Sequence, residues 1–180
     1  MERLAAALAL FLWSMSPAAG AAPPPAQAAD RFLGNITVDT EKVSLTHGLA
    51  LTDGTIVSVR FYGAPLDAKD EAWAVKSMGV LYGVFKDPNV RLDLSLKKGA
   101  THADPASFAG CHVGFYRFKA GLYDFNTNSD CGLLELDGDV KVGGVVHGRL
   151  KGHTEGFPEG GHRPSYAWDI DFTATLRADQ

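Results

Sequence analysis

The chain has 180 residues, 17 Lys and Arg against 21 Asp and Glu, and only two cysteines. At a net charge of −4, with its basic residues scattered among acids, it has no basic stripe to neutralise phosphates, which argues against a nucleic-acid partner. The mixed acidic surface speaks for solubility and for little else.

The first twenty-one residues read as a secretory signal peptide: Arg3, an apolar run from Leu4 to Trp13, and a small, helix-breaking stretch from Ser14 to Ala21. The apolar run has about ten residues where a spanning helix needs about twenty, so no membrane span is expected in the mature chain. Cleavage after Ala21 places the protein in the periplasm or outside the cell. Residues 22–30, rich in Pro and Ala, read as a stiff tether. Residues 31–180 then suit one domain with one core.

From there the chain alternates with period two. Strands are expected over Asn35–Val38 and Val43–Leu51, the latter carrying His47 on a mostly apolar face. Asp53-Gly54 reads as a hairpin turn, and Val57, Val59 and Phe61 alternate with Ser58, Arg60 and Tyr62, as in a half-buried strand. Pro65 and Asp67 suit the start of a helix running to about Ser77, with Leu66, Ala72, Trp73 and Val75 as a packing stripe that plugs one end of the β structure. Met78–Phe85 reads as a strand, and Val90, Leu92, Leu94 and Leu96 alternate with Arg91, Asp93, Ser95 and Lys97. His102 falls in a surface turn.

Further strands are expected over Gly110–Phe118, Leu122–Asn126 and Gly132–Leu136. Cys111 and Cys131 are equidistant from Gly121 and would face each other across a hairpin. In an oxidising compartment they form a disulfide whose loop of about twenty residues contributes roughly 3 kcal/mol. Asp137-Gly138 is a second hairpin signal before a strand over Val140–Lys151. Gly79, Gly83, Gly114, Gly143, Gly144 and Gly148 suggest bulges or bends. The last strand, Tyr166 to Leu176, has Tyr166, Trp168, Ile170, Phe172, Ala174 and Leu176 on one dry face. About ten short strands and one short helical insertion make an all-β domain, preferably an antiparallel β-sandwich, with a closed β-barrel as the alternative.

No motif for a nucleophile elbow, a zinc protease, a phosphate loop or a dinucleotide site occurs, so the chain reads as a non-enzyme. Asp169 and Asp171 share a strand face, which is ordinary for an amphipathic strand and no acid pair flanking a cleft. Three functional openings remain. The rings of Tyr116, Phe118 and Tyr123 concentrate on one hairpin and could meet an apolar ligand, a sugar or a protein partner in the cell envelope. The Gly- and Pro-rich residues 152–164 read as a long loop in which His153, His162, Glu155 and Glu159, with His147 just upstream, are ligand types for zinc or copper. The third is a small secreted hydrolase whose site the sequence does not reveal. The reading adopted is an exported β-domain that binds a ligand or an envelope protein.

Overall fold

The computed structural model describes residues 29–76, 89–116, 125–127, 131–156 and 161–178. The signal peptide, most of the tether, the strand expected over Met78–Phe85, and Phe118, Tyr123 and Glu159 lie outside the described residues. Asp30, assigned to the tether, already belongs to the fold, because its carboxylate accepts the Thr175 amide at 2.7 Å.

The described strands are β1 (Arg31–Val38), β2 (Glu41–Leu45), β3 (His47–Thr52), β4 (Ile56–Tyr62), β5 (Asn89–Leu96) and β6 (His102–Ala103). They continue with β7 (Phe108–Tyr116), β8 (Phe125–Thr127), β9 (Leu133–Asp139), β10 (Val145–Glu155) and β11 (Ser165–Ala178). One helix, α1 (Ala68–Lys76), follows β4, and a 3-10 turn at Pro105–Ser107 precedes β7. Hydrogen bonds join all eleven strands into one sheet in the order β6-β9-β10-β11-β3-β4-β5-β7-β8, with β1 and β2 added beside β11.

Strand β11 is the pivot. One edge pairs with β10 from Ser165 to Thr175, while the other pairs with β1 over Tyr166–Thr173 and then, in parallel, with β3 over Leu176–Ala178. Because one strand serves both halves, there are no two separate sheets to stack. The sheet instead curls until it is nearly a closed barrel. The all-β expectation holds, and of its two architectures the continuous ladder takes the barrel form.

The disulfide belongs to this closure. Cys111 lies on β7 and Cys131 just before β9, strands near opposite ends of the sheet order, and their Cα atoms are 6.2 Å apart, within the range a disulfide spans. β7 pairs antiparallel with β8, Phe115 opposite Phe125, while the residues expected at the hairpin tip, 119–123, lie outside the described residues. Cys131 is therefore no cross-strand partner of Cys111 in that ladder, and the bridge ties the seam of the barrel.

Alternation decides which side chains enter the barrel. Tyr166, Trp168, Ile170, Phe172, Ala174 and Leu176 of β11 are buried in one cluster with Val57 and Val59 of β4 and Leu92 and Leu94 of β5, as the dry faces predict. Phe61 of β4 meets Phe172 of β11 edge-on at 5.4 Å between ring centres and Phe32 of β1 at 6.0 Å, so rings from both halves share one interior.

Glycine makes room for these rings. Gly148 and Gly152 sit directly opposite Phe172 and Trp168 across the β10–β11 ladder. A Cβ on Gly148 would stand 2.3 Å from Phe172 Cζ, and one on Gly152 would stand 2.5 Å from Trp168 Cζ2. Gly148, expected to mark a bend, thus stands in a regular ladder for a packing reason.

Local chemistry explains the turns. Asp53 accepts the amides of Thr55 and Ile56 at 2.7 and 2.8 Å, and Gly54 takes a φ of 86°, so Asp53-Gly54 lies in the turn between β3 and β4, which is longer than the two-residue hairpin the pair suggests, since it runs over residues 53–55. Asp137-Gly138 forms no turn: both residues lie within β9, and the chain reverses over residues 140–144, where Gly143 has a φ of 80°. Asp67 caps α1 by accepting the amides of Lys69 and Asp70. The helix does not plug an end. Ala74, with Leu66 and Val75, packs on Leu49, Leu51 and Tyr62, which project from the outer face of β3 and β4.

Candidate functional site

Two outer faces of the barrel carry polar chemistry. On β9, β10, β11 and β1 the register sets the outward residues in rows: Asp137–His147–Thr173–Arg31, then Glu135–Arg149–Asp171–Leu33, then Leu133–Lys151–Asp169–Asn35. Two grooves of about 550 and 530 Å³ run along this face, the first lined by the residues around His147 and Arg149 and the second by those around Lys151 and His153.

The face is mostly satisfied by itself. Asp169 lies 3.4 Å from Lys151 and 3.9 Å from Arg149, which removes any reading of Asp169 and Asp171 as a free acid pair. His147 Nδ1 meets Thr173 Oγ1 at 2.9 Å, a hydroxyl–imidazole contact within the reach that nucleophile activation requires. The third group fails. Asp137, which would orient the imidazole, stands 2.8 Å from His102 Nε2 instead, and both members of that pair are exposed. The His102 ring is held above its ordinary pKa chiefly by this hydrogen bond. The hydrolase reading gains no site here.

The metal-ligand set is dispersed over the same region. Residues 152–155, expected in a loop, continue β10 in register with Ser165–Trp168, and Gly156 donates its amide to Pro164. His147 and His153 are six positions apart on one strand, roughly 20 Å. His162 Nε2 contacts Asp39 Oδ2 at 3.0 Å, and Glu155 accepts from Arg163 at 3.3 Å. Ser165 and His162 between them hold the Asp39 carboxyl below its ordinary range. Among the described residues no three His, Cys, Asp or Glu side chains are placed to hold a metal ion. Tyr116 ends β7, and nothing is described of its side chain.

The second face, on β4, β5 and β7, is the one the sequence missed. Its rows are Tyr62–Asn89–Tyr116, Arg60–Arg91–Gly114 and Ser58–Asp93–His112. Alternation marks these positions as wet, yet Ser58 and Tyr62 are fully buried, and Arg60 and Asn89 are only 2% and 3% exposed. The rim is more open, with side-chain exposures of 13% for Arg91, 19% for Asp93 and 27% for His112.

Arg60 is anchored to the fold. It donates to the Ala74 carbonyl of α1 at 3.4 Å, and its charge acts on the Tyr62 hydroxyl. Burial pushes the Tyr62 hydroxyl up to about 12 against the opposing pull of Arg60. The carboxylate of Asp93 is the local counter-charge: Arg91 Nε lies 2.6 Å from Asp93 Oδ2, and His112 Nδ1 lies 3.7 Å from the same oxygen. Burial alone would raise the Asp93 carboxyl, but the His112 and Arg91 contacts outweigh it and hold it below the ordinary carboxylate range.

The cluster is incompletely closed. Asn89 Nδ2 is buried without a hydrogen-bond partner, and the Arg91 Nε–H is not aligned on the carboxylate it touches. Ser58 Oγ faces Asp93 and helps to lower its pKa, yet it closes no hydrogen bond of ordinary geometry. Asp93 Oδ1 is likewise buried without a hydrogen-bond partner. Buried polar groups in folded proteins are nearly always satisfied, so under-used donors beside an under-used acceptor on one face call for a water or a ligand.

No family model, curated protein or solved structure matches this chain. Among the described residues no helix is long and apolar enough to cross a membrane.

Proposed function

We propose that this protein is an exported binding domain that receives its ligand on the outward face of β4, β5 and β7, at Asn89, Arg91, Asp93 and His112. One observation carries the reading: polar groups buried on a sheet face without full partners, above all the amide of Asn89. Leaving such a group unmet costs about 1–3 kcal/mol, which a ligand or ordered water would recover. The partly exposed rim of Arg91, Asp93 and His112 offers the way in.

The disulfide at the seam supports an oxidising compartment and thus the export reading. The zinc or copper alternative gains no support from the described geometry, since His162 and Glu155 are engaged with Asp39 and Arg163.

Native mass spectrometry of mature protein isolated from the cell envelope tests the proposal. A non-covalent adduct on the wild-type chain, absent from Arg91→Gln protein, is the expected result. Bare-chain mass for both proteins under gentle ionisation refutes it.

A further inference from the structure

The outward face of β9, β10, β11 and β1 carries a charge pattern that is complementary to itself, and from it we infer that this face is an interface between two copies of the chain. The register sets the charges in opposed columns. Arg149 and Lys151 stand on β10, directly beside Asp171 and Asp169 on β11. One strand further out the opposition returns with its sign reversed, Asp137 on β9 and Arg31 on β1 ending the same row.

A two-fold axis lying along the face between β10 and β11 turns this pattern onto its own complement. It keeps every row at its own height and sets β10 of one copy against β11 of the other, and β9 against β1. Arg149 then meets Asp171 of the partner subunit, Lys151 meets Asp169 of the partner subunit, and Asp137 meets Arg31 of the partner subunit. Each contact occurs twice, as a closed, isologous interface requires, and none of the three rows sets like charges against each other. Such complementarity selects a partner and fixes its register.

Within one chain these charges are loosely held. Lys151 and Arg149 reach Asp169 at 3.4 and 3.9 Å, with side chains 41–55% exposed, and pairs of that kind contribute little. Among the described residues Arg31 and Asp171 enter no ion pair, although Asp171 stands directly opposite Arg149. Leu33 on β1 and Leu133 on β9, 44% and 50% exposed, flank the charges. Under the same two-fold Leu33 of the partner subunit falls over β9 one row from Leu133, about 6.8 Å along the strand and within side-chain reach. Each end of the contact thus gains an apolar pair.

Size sets the strength. With strands about 4.8 Å apart and rows about 6.8 Å apart, four strands and three rows present roughly 400 Å² per copy. That is about half a standard interface, so the dimer is of the weak, reversible class, with a dissociation constant on the order of 10 μM or weaker. Strands β4, β5 and β7 take no part in it, and the ligand face proposed above stays open.

Sedimentation equilibrium of the folded, disulfide-bonded protein at low ionic strength, from about 1 μM to about 1 mM, provides the test. Two charge-reversed variants accompany wild type, one with Arg149→Asp and Lys151→Asp, the other with Asp169→Lys and Asp171→Lys. Wild type should dimerise reversibly and more weakly at high salt. Each variant alone sets like charges across the two-fold, and its dissociation constant should rise at least tenfold. Mixed in equal amounts, the two variants should associate one to one, because one is acidic and the other basic at all four positions. Should a double variant fail to fold by circular dichroism, Arg149→Asp and Asp171→Lys as single changes take their place, with the same pattern at smaller amplitude.

A wild type that stays monomeric throughout the range overturns the inference. So does a dimer equally strong in either variant, or a mixture of folded variants that stays monomeric. Association that runs past the dimer without a plateau points to an open, head-to-tail contact and overturns it as well.

Discussion

Adding one methyl group to Gly148 tests the packing logic of the barrel. A Cβ at this position would stand 2.3 and 2.4 Å from two ring carbons of Phe172 and 2.7 Å from Leu136 Cδ1. Ordinary carbon contacts begin near 3.5 Å, so the ring must retreat by roughly 1.2 Å. It has nowhere to go: Phe172 is buried and already meets Phe61 at 5.4 Å. Overpacking of this kind costs about 1–3 kcal/mol, while replacing a strand glycine by alanine returns about 0.5–1 kcal/mol of backbone entropy. Gly148→Ala should therefore destabilise by about 1–2 kcal/mol in urea denaturation, or lower the Tm by roughly 2–8 °C for a domain of this size. Gly110→Ala on β7 is the control, since a Cβ there meets nothing within 4 Å, and it should be neutral or slightly stabilising. A second change, Phe172→Leu, should couple to the first in a double-mutant cycle, because it removes the atoms that clash. Equal stabilities for Gly148→Ala and Gly110→Ala would refute the assignment of Gly148 to ring packing.

Two further outcomes follow from the seam and from the polar cluster. Replacing Cys111 and Cys131 by serine should cost about 3 kcal/mol for a loop of 20 residues, with hydrogen exchange rising in β7 and β9 more than in β11; free thiols in oxidised wild-type protein would contradict the bridge. Because the folded Asp93 carboxyl lies below its unfolded value of about 3.9, its contribution to stability is complete above that pH and is lost as pH falls through the folded pKa. Asp93→Asn should be weaker near neutrality and show a flatter decline below about pH 4 than wild type. Parallel pH curves for the two proteins would remove Asp93 from the acid-sensitive set.

Much of the barrel is legible in period-two patterning because interior positions tolerate little besides apolar side chains. β11 is the clearest case: every second residue from Tyr166 to Leu176 is buried as alternation demands. Closure was less legible. It depends on β11 changing partners from β1 to β3 along one edge, and nothing local to Thr173–Leu176 signals that exchange. The glycines misled for a related reason. Gly148 is understood only beside Phe172, which lies 24 positions away in sequence and directly opposite in the ladder.

The buried polar face of β4, β5 and β7 was hidden by the same alternation that revealed the core. Ser58, Arg60 and Tyr62 occupy the positions a one-sided sheet gives to water, so pattern alone assigns them to solvent. The second layer that covers Tyr62 comes from α1, and a nine-residue helix that sets Ala74 against the sheet advertises no such role. The sequence neighbours of His112 on β7 do not disclose its setting, which comes from Asp93 across the ladder. One signal was available: Arg60 and Arg91 each stand between two apolar residues of their strands, Val59 and Phe61 on β4 and Val90 and Leu92 on β5. Two arginines at such positions are inexpensive on a wet face, but once a helix covers one of them a counter-charge is required. Asp93 supplies one negative charge within these rows.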